Sequence, residues 1–227
     1  MARTDNRTVA TRRGWIAFFI MAVLAIVAGN YGYNRLAKAM VHRSAVEQLS
    51  AVGESKAEMI EAWRRERLSD AYGSAYSPFF REALENWIAA GRDDALLPRF
   101  QEYLDVDRAS YEFADVLLLS MDGQVIVSAL GAADAAGPDT VEAMQRALDT
   151  RQSTMTDFYL TDTGEGPFLD AVALVPASDG APLAYILLRN DAQHFLLPFL
   201  AQWPTPSPSA EAKLVRRDGD HVLFVTP

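Results

Sequence analysis

The chain has no cysteine. Disulfides, thiolate nucleophiles and cysteine-held metals are therefore excluded. Its three histidines, His42, His194 and His221, lie far apart, and none has a ligand partner three or four residues away. A histidine metal site is not expected. No G-x-S-x-G elbow and no phosphate-cradling glycine loop occurs, so the residues offer no catalytic constellation. Basic excess is also missing beyond residue 43, where 14 Lys/Arg stand against 29 Asp/Glu. Such acidity disfavours nucleic-acid binding, which wants basic stripes. No cofactor is implied. Asp105 and Asp107, and the group Asp162, Glu165 and Asp170, do not match a calcium loop and read as turn residues.

Charge is absent between Arg13 and Arg35, across GWIAFFIMAVLAIVAGNYGYN. A helix of about 20 apolar residues spans a hydrocarbon core of roughly 30 Å. Trp15 at one end and Tyr31 and Tyr33 at the other suit the two interfaces. Arg3, Arg7, Arg12 and Arg13 precede the run, which predicts a cytoplasmic N-terminus (1–13), a transmembrane helix (14–34) and an exterior remainder. Two alternatives stay open. One is a cleaved secretory signal with a weak site in AIVA, Ala25–Ala28. The other is a twin-arginine export signal built on Arg12 and Arg13. All three place the bulk of the chain outside the cytoplasm.

No proline precedes Pro78. From Leu36 to Ser74 the apolar residues Leu36, Met40, Leu49, Val52, Met59, Ile60, Trp63 and Leu68 recur at helical spacing, which predicts a long stalk helix. Ser77-Pro78 opens a shorter helix that Gly91 stops. A second short helix follows, with Pro98 inside it, and Trp87, Phe100, Tyr103 and Leu104 are expected in the core. The pattern then becomes strand-like. YEFADVLLLS and QVIVSAL flank Met121-Asp122-Gly123, a hairpin signal. After a helix at TVEAMQRALDT come three more strands, TMTDFYL, PFLDAVALVPA and PLAYILLRND. The expected fold class is α+β: a membrane helix, a stalk helix, then a PAS-like antiparallel sheet with helices on one side.

The order of these elements, with KAEMIEAWRRERLSDA, LLLSMDGQVIVS, TDFY, DAVALVPA and the closing FLLPFLAQWPTPSPSAEAKLVRRDGDHVLF, resembles the double-Cache ectodomains of bacterial transmembrane sensors. The resemblance covers Leu36 to the end. It implies cover helices to residue 106, a distal PAS-like module at 107–191 and a connector at 192–209. It also implies the first hairpin of a second module at 210–227, cut short before an output domain of histidine-kinase or diguanylate-cyclase type. A small-molecule ligand, a membrane and a homodimer mate through the stalk are the implied partners, without nucleic acid. The inner membrane of a bacterium is the implied location. Amino-acid-sensing members of the family grip the ligand carboxylate with an Arg-x-Trp pair, absent here. The candidates carried over are Tyr159 and Asp191, with Arg146 or Arg151 in place of the missing arginine. The competing reading is a non-catalytic dimerisation or docking scaffold.

Overall fold

The computed structural model describes residues 6–131, 136–161, 166–203, 211–218 and 220–224. Packing divides the chain into two units, Met1–Ser55 and Lys56–Pro227. Helix α1 comprises Asn6–Ala75, and its last part, Lys56–Ala75, belongs to the second unit.

The first unit is helical. Its exposed face carries an Arg43–Glu47 pair at 2.9 Å, one turn apart. Among the described residues no helix is long and apolar enough to cross a membrane. The side chains of 1–14, Ile16 and Ala17, part of the expected cytoplasmic segment and span, lie outside those described.

In the second unit, α2 (Pro78–Ala89) starts on its proline, as expected, but the Ser77 hydroxyl makes no cap bond. Pro98 does not interrupt a helix. A 3₁₀ turn at Asp94–Leu96 precedes it, and Pro98 falls in the first turn of α3 (Leu97–Tyr111), where its missing N–H costs no hydrogen bond. Next come β1 (Asp115–Leu119), β2 (Val125–Ser128), α4 (Pro138–Thr150), β3 (Thr154–Met155), β4 (Phe168–Pro176) and β5 (Pro182–Asp191). All five strands join one sheet of order β2-β1-β5-β4-β3, with every pairing antiparallel. Gly123, at φ 84°, and Gly180, at φ 87°, serve the two tight turns, a conformation open to glycine at little cost.

The expectation of helices on one side is corrected. Residues of β1 are buried without alternation, so both faces need cover. Val116, Leu118, Ala171, Ala173, Val175, Ile186 and Leu188 pack with Trp63, Phe80, Leu84, Trp87, Phe100 and Leu104. Their neighbours Leu117, Leu119, Val172, Leu174, Tyr185 and Leu187 pack with Ala143, Met144 and Ala147 of α4. Successive strand residues point to opposite faces, so α1 to α3 cover one face and α4 the other. The four expected core residues of the cover helices are buried, or partly so for Tyr103.

Two further elements complete the unit. Helix α5 (Leu196–Ala201) lies in the expected connector, whose residues 204–209 fall outside those described. Strands β6 (Val215–Asp218) and β7 (His221–Phe224) pair antiparallel as a separate hairpin.

Lys56 ties α1 to the end of α5. Its ammonium donates to the carbonyls of Phe199 (3.3 Å), Leu200 (2.9 Å) and Gln202 (2.6 Å). It also sits 5.2 Å from the Phe199 ring centre and 5.8 Å from that of Trp203. Burial lowers its pKa from the ordinary lysine value. Lysine suits this place, because a helix C-terminus presents unpaired carbonyls and partial negative charge. Lys56→Met keeps the stem and strips the donors. We expect a loss of about 1–3 kcal/mol of stability in urea unfolding. A change within error would mean that solvent replaces the ammonium there.

Candidate functional site

Asp170 is the centre of a buried polar cluster. It lies inside β4 and is fully buried, so its reading as a turn residue is corrected. The other two of that group, Asp162 and Glu165, lie outside the described residues. The register of the β4–β5 hairpin sets Asp170 directly opposite Arg189. Arg189 Nε donates to Asp170 Oδ1 at 3.2 Å. On the other oxygen, Oδ2 accepts from the Tyr159 hydroxyl at 2.6 Å and from the Thr140 hydroxyl of α4 at 3.1 Å. Each carboxylate oxygen is thus supplied with donors, as a buried charge requires.

Tyr159 reaches this point because the strand bulges. Thr156 N donates to Asp170 O, and Tyr159 bridges Phe168. Two residues therefore separate the contacts on one side and one on the other, which is the count of a β-bulge. The Asp157 side chain accepts from the Phe158 amide at 2.7 Å, taking that amide out of any ladder. This is why β3 is shorter than the TMTDFYL run suggests. The bulge leaves the Tyr159 ring 5.9 Å from the Arg189 guanidinium, with the Phe168 ring at 5.6 Å on the same cation.

Burial pushes the Asp170 carboxyl up from its ordinary value, against the pull of the Arg189 charge and then of the Tyr159 hydroxyl. The Tyr159 phenol is pushed up by burial and by the Asp170 charge, so it stays protonated and remains a donor. Burial alone would lower Arg189, but the Asp170 charge outweighs it and the guanidinium stays charged. The cluster brings a carboxyl, a guanidinium and an aromatic face together in a sheet whose other buried polar side chains include Asp115, Ser128 and Asn190.

The four residues carried over by resemblance are dispersed. Tyr159 belongs to the cluster. Arg146, on α4, pairs with Glu142 at 2.5 Å and donates to the Met155 carbonyl at 3.0 Å, and it lines an open cavity of about 590 Å³. Arg151 follows α4 in the left-handed conformation and reaches the Gly180 carbonyl at 3.4 Å. Asp191 closes β5, where its carboxylate accepts from the Gln193 amide at 2.8 Å. The last three take no part in the buried cluster. From the sequence Asp170 is read only as a turn residue and Arg189 is not singled out, although Asp170 is the lone charge of its strand run. No group of three or more His, Cys, Asp or Glu able to hold a metal occurs among the described residues.

No family model and no curated protein matches the sequence, but solved structures do. The sensory domain of the Campylobacter jejuni chemoreceptor Tlp3 superposes with a TM-score of 0.50 at 16% identity, over 66% of this chain and 62% of that one. The Tlp3 ligand-binding domain in complex with 4-methylisoleucine gives 0.52 at 17%, over 66% and 60%. Its L-valine complex gives 0.50 at 16%, over 66% and 61%.

The chain shares the fold of these sensory domains.

The chain spans about three fifths of the length of those Tlp3 domains. The Asp170 cluster occupies the α4-covered face of the sheet, with Thr140 of that helix bonded to it.

Proposed function

We propose that this chain is the ligand-binding module of an extracytoplasmic sensor, reading a small amphoteric molecule at the Asp170–Arg189 cluster. One observation carries the proposal: a fully buried carboxylate paired with an arginine inside the sheet. A buried ion pair contributes little or nothing net to stability, so its presence favours a functional account. A ligand carboxylate suits the donor fork of Arg189. A ligand ammonium suits Asp170 beside the Tyr159 ring. The ligand would replace each partner of the pair with its own complementary charge. That the similar Tlp3 domain was solved with 4-methylisoleucine and with L-valine makes amino acids the first compounds to try.

The rest of the reading concerns the whole receptor. Residues 14–34 serve as a membrane anchor, on the strength of a run without charge and of side chains such as Phe18, Phe19, Leu24 and Ile26 that stand exposed. Residues beyond 34 lie outside the cytoplasm. The module extends over 107–191, and helix α1 pairs with a second copy and carries the signal. Ligand binding acts by favouring one of two packings of the module on that helix.

A thermal-shift panel of amino acids and dicarboxylates tests this on the full chain in detergent. At least one compound is expected to raise the melting temperature saturably, and Tyr159→Phe is expected to weaken that response. A flat panel, with a shift produced only by a protein partner, would favour the docking scaffold.

A further inference from the structure

We infer that the open cavity beside Arg146 is a second binding site, for a small anion with an apolar body. Tyr159, Asp170 and Arg189 are not among its lining residues, and it is walled by α1, α4, β3 and the loop after it, β4, α5 and β6. Its volume of about 590 Å³ is that of a small-molecule site.

Charge identifies the ligand class. The chain carries a formal net charge of −9, yet the cavity is lined by four guanidinium groups and three carboxylates. Two of the carboxylates are already engaged. Glu142 is paired with Arg146, and Asp157 lies 3.9 Å from Arg216, which also donates to the Phe158 carbonyl at 2.7 Å. Asp139, in the first turn of α4, is the third. Arg217 is the next cation along β6. Arg64 of α1 is exposed and has no hydrogen-bond or ion-pair partner among the described residues. An arginine with its donors unspent at a cavity wall is a ready partner for a carboxylate or phosphate. The apolar lining, from Ile60, Trp63, Met155, Phe158, Leu169 and Leu196, suits a hydrocarbon or aromatic body attached to that anion.

The placement gives binding a consequence. An occupant touching Arg64 and the β6 arginines bridges α1 to the β6–β7 hairpin. Filling the site therefore ties these two elements together, independently of what the Asp170 cluster holds.

Calorimetric titration of the full chain in detergent with phenylacetate tests the site. Phenylacetamide serves as the uncharged isostere and inorganic phosphate as the anion without an apolar body. Saturable binding of phenylacetate is expected, with phosphate weaker. Loss of a charge-assisted contact predicts a fall of about tenfold or more in affinity, both for phenylacetamide and in Arg64→Ala. Arg64 is exposed, so that variant keeps the fold, and its melting temperature provides the check. Equal binding of acid and amide overturns the inference. So does wild-type affinity in Arg64→Ala, or the absence of saturable binding by all three probes. Failure of the amino-acid panel leaves this result untouched, since the two sites are read by different ligands.

Discussion

Arg189→Met is expected to cost about 3–5 kcal/mol of unfolding free energy, because it strands a buried carboxylate without its countercharge. Asp170 is fully buried, and after the substitution only the hydroxyls of Tyr159 and Thr140 still serve its side chain. The cost arises from leaving one charge alone, not from the worth of the pair. The double variant Asp170→Asn/Arg189→Met should therefore recover much of the loss. An asparagine oxygen can still accept from both hydroxyls, and no net charge stays buried. Denaturant unfolding of wild type, the two single variants and the double variant gives the coupling directly. Single-variant costs that simply add would show that Asp170 and Arg189 do not depend on each other. The functional reading would then lose its main support.

Trp87→Ala is expected to cost about 3–5 kcal/mol, the range for deleting a large aromatic from a packed core. Trp87 is 4% exposed and meets Phe100 edge-on at 5.9 Å. Its indole N–H donates to the Asp93 carbonyl at 2.9 Å, holding the turn that leads into α3. Trp87→Phe refills most of the volume and loses that bond, so about 1–2 kcal/mol is expected there. Thermal or urea unfolding distinguishes the two. Near-equal costs would place the value of Trp87 in its hydrogen bond, not in packing.

Much of the fold is legible in the sequence for reasons that can be named. The Asp122-Gly123 and Asp179-Gly180 turns sit between apolar runs, and short turns set the register of the strands they join. Phe100 and Leu104 stand one helical turn apart and are buried, as is Trp87 of the preceding helix. The cover on the second face was harder to see. The strand runs of β1, β4 and β5 are apolar throughout, and such runs are read equally well as one long buried stripe. Only unbroken burial along β1, with α4 packed on alternate residues, reveals two layers of helix. The ending of β3 at Met155 depends on one local bond, from Phe158 N to Asp157, which competes with the ladder.

The candidate site was half legible. Tyr159 is a candidate through the family resemblance, and its hydroxyl donates to Asp170. The resemblance points instead to Arg146, Arg151 and Asp191, which lie on a helix, after a helix and at a strand terminus. There was a signal for the pair itself. The Asp179-Gly180 turn folds PFLDAVALVPA onto PLAYILLRND, and counting outward from it brings Asp170 opposite Arg189. Opposite charges at facing positions of two largely apolar strands are better explained as a pair than as two separate surface residues. The cavity was not legible, because its walls come from α1, α4, α5 and β6, which are distant in sequence and meet only in the folded unit.

Hydrogen–deuterium exchange of the full chain in detergent, with and without a saturating compound from the amino-acid panel, tests the central claim most directly. Binding at the cluster predicts slower exchange in Thr156–Tyr159 and Phe168–Asp170, with β1, β2 and β6, the last a wall of the Arg146 cavity, unchanged. Binding without altered exchange in either segment would place the ligand elsewhere and contradict the assignment of Asp170 and Arg189.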